Sequence, residues 1–350
     1  MPDNNNDISI MDVTIRDGSY AVDYSFTAAQ VARIAGALDR AGIDYIEVGH
    51  GCGIGAGESL GLSPAASDAS QAEAARGAVK RAKIGVIAGA ERITKQRDID
   101  SVIDLVDFMR FFTSCATPRG VEANISYAKG KRPALPVFLQ LTNSTRRPAA
   151  ALVEAARMAE DMGVETMYIV DTASHFMPDE VFSLVSEIRS RSSMGVGFHG
   201  HDGLCLAVAN TIAAARAGAA SVDGSLRGIG RGSGNAQLEA VVSLMHRMGK
   251  KRSCNLDALT AAAAEHVEPI MPPRRGVSGP ELAMADANIS LYPVPLFLEI
   301  AKKAGVSFAA LVRALGDMEA VAEVEMEDLR RALARLGAEP GEALRDFVRD

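Results

Sequence analysis

Short apolar runs rich in β-branched residues alternate along the chain with longer alanine-rich runs that repeat at helical spacing. The short runs predict buried strands, and the longer periodic runs predict helices. The predicted strands cover residues 8–15, 45–48, 84–88, 108–112, 137–141, 166–170, 195–199 and 221–225. Helices are predicted to follow them at 27–41, 67–81, 95–105, 118–131, 148–162, 178–191, 204–217 and 235–248, with Thr27 as an N-cap and Gly42 as a stop.

This alternation predicts a parallel sheet, because parallel neighbours need a long crossover connection, usually a helix. Eight strand–helix units are what a closed (β/α)8 barrel, or TIM barrel, requires. The alternative is an open doubly wound sheet, which would normally carry a Gly-rich phosphate loop after its first strand. Arg16-Asp17-Gly18 stands at that place instead. We therefore predict an α/β protein with a TIM barrel.

The pattern changes beyond about residue 265, where prolines and arginines at 269–276 predict a connection. Helical stretches follow near 295–304, 308–315 and 325–336. We therefore expect a catalytic barrel over residues 1–265 and a small C-terminal helical domain over residues 266–350.

The composition is ordinary for a soluble globular protein, with 48% apolar and 23% charged residues in a chain of 350. The net charge is -7 and no basic run is long enough to follow a phosphate backbone, so nucleic acid is excluded as a partner. The four cysteines match no metal or redox spacing, which predicts free thiols. A polar N-terminus and no long apolar stretch predict a cytoplasmic protein with no membrane segment.

Polar residues collect at the predicted strand ends, where TIM-barrel enzymes place their chemistry. They are Arg16, Asp17, Glu47, His50, Arg110, Gln140, Asp171, Thr172, His199 and His201. A Gly-rich loop, residues 227–235, follows the last strand and ends at Asn235. The loop is either a tight turn or a device that brings backbone amides and Asn235 close to a substrate.

His199 and His201 project from the same face of a strand, because side chains alternate along it. Closure of the barrel brings Asp17, from the first strand, near them. Two imidazoles and a carboxylate can hold a metal ion and leave positions open for a substrate; the alternative is a pair of hydrogen-bonded histidines lining a pocket. Arg16 would reach an ion-bound oxyanion with its permanently charged guanidinium, unless it forms a plain salt bridge with Asp17 or Glu47.

These motifs carry a family resemblance. Thr14-Ile15-Arg16-Asp17-Gly18, His199-Gly200-His201 and Gly234-Asn235-Ala236 resemble the metal-dependent lyase and condensing barrels. That superfamily includes isopropylmalate and homocitrate synthases, hydroxymethylglutaryl-CoA lyase and 4-hydroxy-2-oxovalerate aldolase. Residues 46–51 and 234–239 are most similar to the aldolases, which also have a helical C-terminal domain, so the resemblance covers the whole chain.

The resemblance implies a class II aldolase that cleaves a 4-hydroxy-2-oxo acid to pyruvate and an aldehyde. It implies a divalent ion on Asp17, His199 and His201, usually Mn²⁺, with Mg²⁺, Co²⁺ and Zn²⁺ as the other candidates. Arg16 would stabilise the enolate oxygen and Thr172 would help to hold the pyruvate carboxylate. Tyr292 would border the substrate.

The chain departs from the aldolase pattern at the residue that acts as the base. The aldolases usually carry histidine as the second residue after Arg-Asp-Gly, whereas here Ser19 and then Tyr20 follow Gly18. The unperturbed pKa of tyrosine is about 10, so Tyr20 is a poor base at neutral pH unless Arg16 and the ion lower that pKa. His50 is the other candidate base.

Three other functions compete with the aldolase. A condensing acyltransferase of the isopropylmalate synthase type would use an acyl-CoA, but its relatives usually have glutamine or glutamate in place of Tyr20. Hydroxymethylglutaryl-CoA lyase is disfavoured because its Gly-rich loop contains a catalytic cysteine and this loop has none. A catalytically silent barrel subunit is the remaining alternative.

The expected partners are a small 2-oxo acid substrate and other copies of the chain in a homo-oligomer. The resemblance adds an acylating aldehyde dehydrogenase, to which the aldolases commonly pass their aldehyde. We expect such a contact on the C-terminal helices at 318–336.

Overall fold

The computed structural model describes residues 8–272, 277–290, 294–318 and 324–344. Eight parallel strands pair in chain order and the last pairs with the first, so the sheet closes into a barrel. The predicted TIM barrel is confirmed. The strands are β1 Ser9–Asp12, β2 Tyr45–Val48, β3 Lys83–Ala88, β4 Phe108–Ser114, β5 Val137–Thr142, β6 Thr166–Asp171, β7 Gly195–Gly200 and β8 Ser221–Gly224.

Helices surround the barrel, and further helices follow it. The barrel part contains α1 Ala28–Ala41, α2 Ala56–Ser59, α3 Asp68–Ala78, α4 Gln96–Val102, α5 Glu122–Lys131, α6 Ala149–Asp161, α7 Pro178–Arg191, α8 Ala207–Arg216, α9 Leu238–Arg247 and α10 Leu256–Ala262. The C-terminal part contains α11 Gly279–Asp286, α12 Val294–Lys303, α13 Phe308–Gly316, α14 Met326–Arg335 and α15 Pro340–Leu344. The short helices α2, α10, α11 and α15 were not predicted. The other helices match predicted ones within a few residues.

Helix α1 begins and ends where the sequence predicts. The Thr27 hydroxyl accepts a hydrogen bond from the Gln30 amide, while the Gln30 side chain accepts one from the Thr27 amide, and the two bonds form a capping box. Gly42 ends the helix in the left-handed conformation with φ 89°.

Strand β1 is shorter than predicted, because it ends at Asp12 rather than at residue 15. The Asp12 carboxylate accepts hydrogen bonds from the Thr14 amide at 3.0 Å and the Thr14 hydroxyl at 2.7 Å, which turns the chain out of the strand. Arg16 and Asp17 therefore lie on the turn after β1, and the Asp17 amide donates to the Val13 carbonyl at 2.8 Å.

Aromatic rings fill the lower part of the barrel interior. Phe108 and Phe138 lie 5.2 Å apart between ring centroids, and Tyr168 follows at 6.3 Å from Phe138. Gly85 and Gly197 leave room for these rings, since a Cβ on Gly197 would lie 2.4 Å from the Tyr168 ring. The lower part of the barrel interior is therefore filled by side chains. A substrate cavity can form only at the carboxyl ends of the strands.

The C-terminal helices have a hydrophobic core of their own. Buried residues of the barrel core continue to Val267, whereas a second cluster begins at Met284 and runs to Leu344. The expected division into two domains at residues 265 and 266 stays a prediction. No helix in the described ranges is both long and apolar enough to cross a membrane.

Polar contacts join the C-terminal part to the carboxyl-end rim of the barrel. The Thr145 hydroxyl donates to the Asn288 side-chain oxygen at 2.5 Å, and the His175 ring Nδ1 lies 2.8 Å from the Ala285 carbonyl oxygen. Thr145 follows β5 and His175 follows β6, so the helices lie over the same end of the barrel as the predicted site.

Candidate functional site

Asp17, His199 and His201 meet at the carboxyl end of the barrel, as the sequence predicts. Each offers one ligand atom, and the three atoms lie within 4.8 Å of one another. His199 belongs to β7 and His201 follows it directly, while Asp17 lies on the turn after β1. Strand β8 separates the two strands in the closed barrel, so closure brings the three side chains together.

Both imidazoles are oriented through their Nδ1 atoms. His199 Nδ1 lies 2.8 Å from an Asp223 carboxylate oxygen, and His201 Nδ1 lies 3.3 Å from the Gly234 carbonyl oxygen. Because these partners accept hydrogen bonds, Nδ1 carries the proton and the Nε2 lone pair stays available for an ion. Burial lowers the pKa of His201 to about 3, which keeps the ring in the neutral form that binds metals.

The Asp17 carboxylate is held in the anionic form. Burial alone would raise its pKa, but the permanent positive charge of Arg16 holds that pKa well below its usual range. Arg16 Nη1 donates to Oδ1 at 2.5 Å, and Asn235 Nδ2 donates to Oδ2 at 2.8 Å. Asn235 Oδ1 is buried and has no hydrogen-bond partner among the described residues. A carboxylate, two neutral imidazoles and a spare amide oxygen fit a divalent ion with positions left for a substrate.

A layer of four side chains from the even-numbered strands lies across the barrel interior. TIM barrels fill such layers mostly with branched apolar residues, but here they are Glu47, Arg110, Tyr168 and Asp223, all buried. Arg110 Nε donates to Glu47 at 2.7 Å and Nη1 donates to Asp223 at 2.7 Å. Its guanidinium carbon lies 4.8 Å from the centre of the Tyr168 ring. The layer is therefore ionic and internally paired.

This ionic layer supports the ligands above it. Glu47 also accepts a hydrogen bond from Arg16 Nε at 2.6 Å, and Asp223 is the residue that orients His199. Burial alone would raise the pKa of Asp223, yet Arg110 and His199 lower it below the usual value. Asp223 was not among the predicted site residues, because it lies inside a predicted strand rather than at its end. A charged residue inside the predicted strand 221–225 was the available signal.

A cavity of about 900 Å³ opens above the ligand atoms, between the barrel rim and helices α12 and α14. Hydrogen-bond donors that are available to a ligand face this cavity. Arg16 Nη2 and Gln140 Nε2 are buried without a hydrogen-bond partner in the described parts of the chain. The Thr172 hydroxyl accepts from the Asn143 amide at 2.8 Å, so its own proton is available to a ligand. These donors suit the oxygen atoms of a 2-oxo acid.

Tyr20 lines this cavity from the turn after β1. Its hydroxyl lies 3.3 Å from Cys52 Sγ, and its ring packs against Gly51, where a Cβ would meet the ring at 2.5 Å. Burial, with a further contribution from Cys52, raises the pKa of Tyr20 well above 10. The hydroxyl is therefore protonated at neutral pH and is a proton donor rather than a base.

His50 lies two residues after β2 and is only 2% exposed. Its ring stacks on Tyr24 with 4.1 Å between centroids, and its Nδ1 accepts from the Cys52 amide at 3.3 Å. Burial lowers its pKa to about 4. The described lining of the cavity includes Gly51 but not His50, so its role as a base stays a prediction. Tyr292 lies outside the described residues.

The cavity has a surplus of positive charge among the residues described. The ionisable side chains that line it, apart from Tyr20 and the two histidines, are Arg16, Arg92, Arg146, Arg231 and Arg331 against Asp17, Glu325 and Asp328. Arg331 is paired with Asp328. Arg231 belongs to the Gly-rich loop and was not singled out in the sequence. Its position beside Tyr20 follows from the loop's fold.

Comparison with known sequences places the chain in a family. The profile of the HMGL-like family matches residues 7–265. Oxaloacetate decarboxylase from Mycobacterium tuberculosis is 34% identical over 330 residues, which are 94% of this chain and 97% of that protein. 4-Hydroxy-2-oxovalerate aldolase from Geobacillus stearothermophilus is 34% identical over 318 residues, 90% of this chain and 92% of that protein. The aldolase from Chloroflexus aggregans is 38% identical over 265 residues, 75% of this chain and 76% of that protein.

Solved structures share the fold. The N-terminal domain of a putative aldolase from Bacteroides vulgatus has a TM-score of 0.71 at 22% identity, covering 88% of this chain and 100% of that chain. The carboxyl transferase domain of Rhizobium etli pyruvate carboxylase, with pyruvate, has a TM-score of 0.75 at 14% identity. It covers 95% of this chain and 61% of that chain. The family profile and the curated relatives together establish that the chain belongs to the HMGL-like family, as a carbon–carbon lyase similar to the 4-hydroxy-2-oxovalerate aldolases.

Proposed function

We propose that this enzyme cleaves a 4-hydroxy-2-oxo acid to pyruvate and an aldehyde, with a divalent metal ion held by Asp17, His199 and His201. The observation that carries the proposal is the cluster of three ligand atoms within 4.8 Å of one another, beside the unpartnered Nη2 of Arg16. An ion bound there would supply Lewis-acid polarisation of the 2-oxo group.

The chain's own residues bind and orient the 2-oxo acid. Thr172 and Gln140 donate hydrogen bonds to its carboxylate, and Arg16 Nη2 donates to the oxygen that becomes negative as the carbon–carbon bond breaks. Arg16 is itself fixed by Asp17 and Glu47, so its spare N–H is pre-aligned. Removal of the 4-hydroxyl proton needs a base, which Tyr20 could supply only if the charges of Arg16 and a bound ion lowered its raised pKa, and His50 is the alternative.

Manganese is the ion we propose first, following the family resemblance. The ligand set mixes a hard carboxylate with two imidazoles and contains no thiolate, which suits several divalent first-row ions. Mg²⁺, Co²⁺ and Zn²⁺ are the alternatives that a titration must compare.

Pyruvate release from 4-hydroxy-2-oxopentanoate tests the proposal, measured with added Mn²⁺ and again after chelation. We expect pyruvate only with metal, and its loss in His199→Ala. The control Cys205→Ser changes an exposed thiol and should retain activity. No pyruvate from this acid or from its longer homologues with any of the four ions, although the ion binds, would rule out the aldolase.

A second candidate, decarboxylation of oxaloacetate, is favoured by Tyr20. Retro-aldol cleavage needs a base for the 4-hydroxyl, whereas loss of CO₂ leaves the electron pair on C3 and needs only a proton donor afterwards. Tyr20 is protonated at neutral pH because its pKa is raised well above 10 by burial. The Mycobacterium tuberculosis relative is named for this activity.

The two candidates differ in their response to one substitution. Tyr20→Phe removes the phenolic proton and keeps the ring. A decarboxylase would release CO₂ from oxaloacetate in both proteins but would form pyruvate more slowly in the variant. An aldolase would form pyruvate from a 4-hydroxy-2-oxo acid faster than from oxaloacetate.

The dehydrogenase partner and the homo-oligomer remain proposals that rest on the family resemblance. Residues 319–323 of the expected contact region, 318–336, lie outside the described residues. Failure of an acylating aldehyde dehydrogenase to co-purify would count against that partner.

A further inference from the structure

The cavity above the ligand cluster is larger than a five-carbon substrate needs. Its volume of about 900 Å³ lies near the upper end of the range of about 300–1,000 Å³ for sites that hold drug-sized ligands. The side chains assigned to the 2-oxo acid line only one side of it. Gln140 belongs to β5, Thr172 follows β6, and the two ligand histidines lie at the end of β7. The other side is left for another part of the substrate.

The barrel supplies an apolar wall on that other side. Strands β3 and β4 lie across the closed sheet from β7 and β8. The cavity is lined there by Ile93, from the loop after β3, and by Phe112 of β4. Both pack in one hydrophobic cluster with Tyr20. A Cβ on Gly89 would lie 3.0 Å from the Phe112 ring, so the chain packs closely behind this ring. The wall therefore runs from Tyr20 to Phe112.

The C-terminal helices supply a second apolar wall. Leu296 of α12 and Met326 and Leu329 of α14 line the same cavity and belong to the hydrophobic core of the C-terminal part. Leu296 and Met326 are only partly buried, so they present apolar surface to the cavity. We call the space between the two walls the apolar slot, and its walls are Ile93, Phe112, Leu296, Met326 and Leu329.

The charged residues that line the cavity leave the slot available to a hydrocarbon. Those on the side of the 2-oxo acid follow β1, β5 and β8 and are Arg16, Arg146 and Arg231. Of the others in the described lining, Arg331 pairs with Asp328, while Arg92 and Glu325 are exposed to water. The charges nearest the slot are therefore paired or hydrated, and apolar contact between the walls does not have to desolvate a lone charge.

The chemistry of the cleavage directs the tail of the substrate into this slot. A 2-oxo acid whose carboxylate is held by Gln140 and Thr172, with its 2-oxo oxygen at the ligand cluster, points C3 and C4 away from β5 and β6. C4 would then lie on the side of Tyr20, where the first apolar wall begins. Any group that C4 carries besides its hydroxyl would continue along that wall.

We propose that the apolar slot binds a hydrocarbon tail at C4, so that the enzyme acts on 4-hydroxy-2-oxo acids with tails longer than a methyl group. This inference rests on the proposed function and narrows its substrate class. On cleavage the C3–C4 bond breaks, its electron pair forms the pyruvate enolate, and the 4-hydroxyl loses its proton as C4 becomes the aldehyde carbon. The enolate takes up a proton at C3, and the tail leaves with the aldehyde.

Binding of two 2-oxo acids to the Mn²⁺-loaded enzyme tests the slot apart from catalysis. 2-Oxopentanoate and 2-oxooctanoate share the end that faces the ion, differ by three methylene groups, and lack the 4-hydroxyl that cleavage requires. Burial of one methylene group raises affinity about 4-fold. We therefore expect calorimetry to show 2-oxooctanoate binding about 10–100-fold more tightly.

Two variants change the two walls of the slot separately. Met326→Gln keeps an unbranched side chain of similar length but makes it polar, and Phe112→Ala removes the ring on the barrel side. We expect each to reduce the preference for 2-oxooctanoate at least about 4-fold, while 2-oxopentanoate and Mn²⁺ bind as before. Met177→Gln and Phe182→Ala are the matched controls, because these side chains are 49% and 43% exposed and lie outside the described lining. Both controls should keep the full preference.

Equal affinity of the wild-type protein for the two acids would overturn the proposal. So would an undiminished preference in Met326→Gln and Phe112→Ala, since the tail would then bind elsewhere. If Phe112→Ala also loses Mn²⁺, the ring is needed for the fold of the site, and Met326→Gln alone decides.

The proposed cleavage can fail separately from the slot. A preference for 2-oxooctanoate that depends on Met326, without pyruvate release from any 4-hydroxy-2-oxo acid, would retain the slot and reject the lyase reaction. Pyruvate release from 4-hydroxy-2-oxopentanoate without any effect of tail length on binding would retain the lyase and reject the slot.

Discussion

At the scale of single residues, we infer that the protonation state of Tyr20 affects which of the two proposed cleavage reactions the site favours. It lines the cavity close to the ligand cluster, but its hydroxyl is bonded to Cys52 and its pKa is raised well above 10 by burial. A general base contributes about 10²–10⁴-fold to a rate when its pKa is near the working pH. A phenol that stays protonated cannot supply most of that factor.

Tyr20→His should therefore accelerate retro-aldol cleavage. Imidazole has an unperturbed pKa of about 6.5 and can accept the 4-hydroxyl proton at neutral pH. We expect kcat for 4-hydroxy-2-oxopentanoate to rise about 10-fold or more, with Mn²⁺ affinity unchanged. Tyr20→Phe is the comparison that lacks any titratable group. A histidine variant no faster than the phenylalanine variant would show that the base lies elsewhere, with His50 the next residue to test.

Asp223 contacts His199, one of the three proposed metal ligands. It orients the ring at 2.8 Å and is itself held by Arg110 at 2.7 Å. Partners of this kind typically change metal affinity about 10–100-fold. We expect Asp223→Asn to weaken Mn²⁺ binding by such a factor, measured by competition with a chromophoric chelator.

The stability of Asp223→Asn must be measured as well, because Arg110 would lose one of its two anionic partners. Breaking a buried ion pair costs about 3–5 kcal/mol, so the melting temperature of Asp223→Asn should also fall. Asp44→Asn, at the other end of the barrel, removes a Lys251 partner and serves as the control for stability alone. Unchanged Mn²⁺ affinity in Asp223→Asn would contradict the orienting role.

At the scale of elements, the Gly-rich loop after β8 packs closely against Asp17 and Asn235. Gly230 has no room for a side chain, since a Cβ would lie 2.3 Å from Asn235 Nδ2 and 2.7 Å from Asp17 Oδ2. The loop glycines therefore do more than permit a tight turn. They let the backbone approach a metal ligand directly.

Gly230→Ala should displace Asp17 and Asn235 and weaken metal binding while the barrel stays folded. We expect at least about a 10-fold loss of Mn²⁺ affinity, in line with the effect of disturbing the groups that position metal ligands. Gly77→Ala in α3 has open space around it and should bind Mn²⁺ normally, with a slightly higher melting temperature. Equal Mn²⁺ affinity in the two variants would show that the loop tolerates the methyl group.

The elements themselves could be predicted from the sequence more completely than their contacts. Strand and helix periodicity, and caps such as Thr27 and Gly42, are local signals. The predicted end of β1 was wrong, because the Asp12 carboxylate turns the chain earlier than apolar periodicity indicates. The short helices α2 and α10 carry too little periodic signal to be separated from loops.

The candidate site also contains a part that could be predicted from the sequence and a part that could not. The ligand triad could be predicted because β7 alternation and barrel closure fix its geometry. The Arg110–Asp223 pair joins residues 113 positions apart across the barrel, and nothing local in either strand specifies that pairing. The position of Arg231 beside Tyr20 depends on the left-handed glycines of the loop, which periodicity does not describe.

At the scale of the whole molecule, the buried Asp12 carboxyl group gives the stability of the fold a pH dependence opposite to that of carboxyl groups with lowered pKa values, such as Asp17 and Asp223. Burial raises the pKa of Asp12 to about 7, while an aspartate in an unfolded chain titrates near 4. The folded protein therefore binds this proton more tightly than the unfolded chain. The contribution of the protonated Asp12 carboxyl to the free energy of unfolding is complete below about pH 4 and is lost as the pH rises through 7.

Asp12→Asn mimics the protonated carboxyl at every pH. The free energy of unfolding of the wild-type protein relative to this variant should fall between about pH 4 and 7, with a slope approaching about 1.4 kcal/mol per pH unit. Urea titrations across that range measure the difference. Asp104→Asn, an exposed change, should leave the profile of the wild-type protein unaltered. A flat difference for Asp12→Asn would mean that Asp12 ionises as freely in the folded protein as in the unfolded chain.

The barrel, the three proposed ligands and the cavity support the proposal of a metal-dependent lyase that releases pyruvate, and one titration tests that proposal most directly. Mn²⁺ is added stepwise to chelator-treated enzyme, and bound ion and pyruvate formation from 4-hydroxy-2-oxopentanoate, 4-hydroxy-2-oxooctanoate and oxaloacetate are recorded together. We expect pyruvate formation to follow occupancy of a single site and both to disappear in Asp17→Asn. Enzyme-dependent pyruvate formation without metal, or an occupied site that forms no pyruvate from any of the three acids, would contradict it.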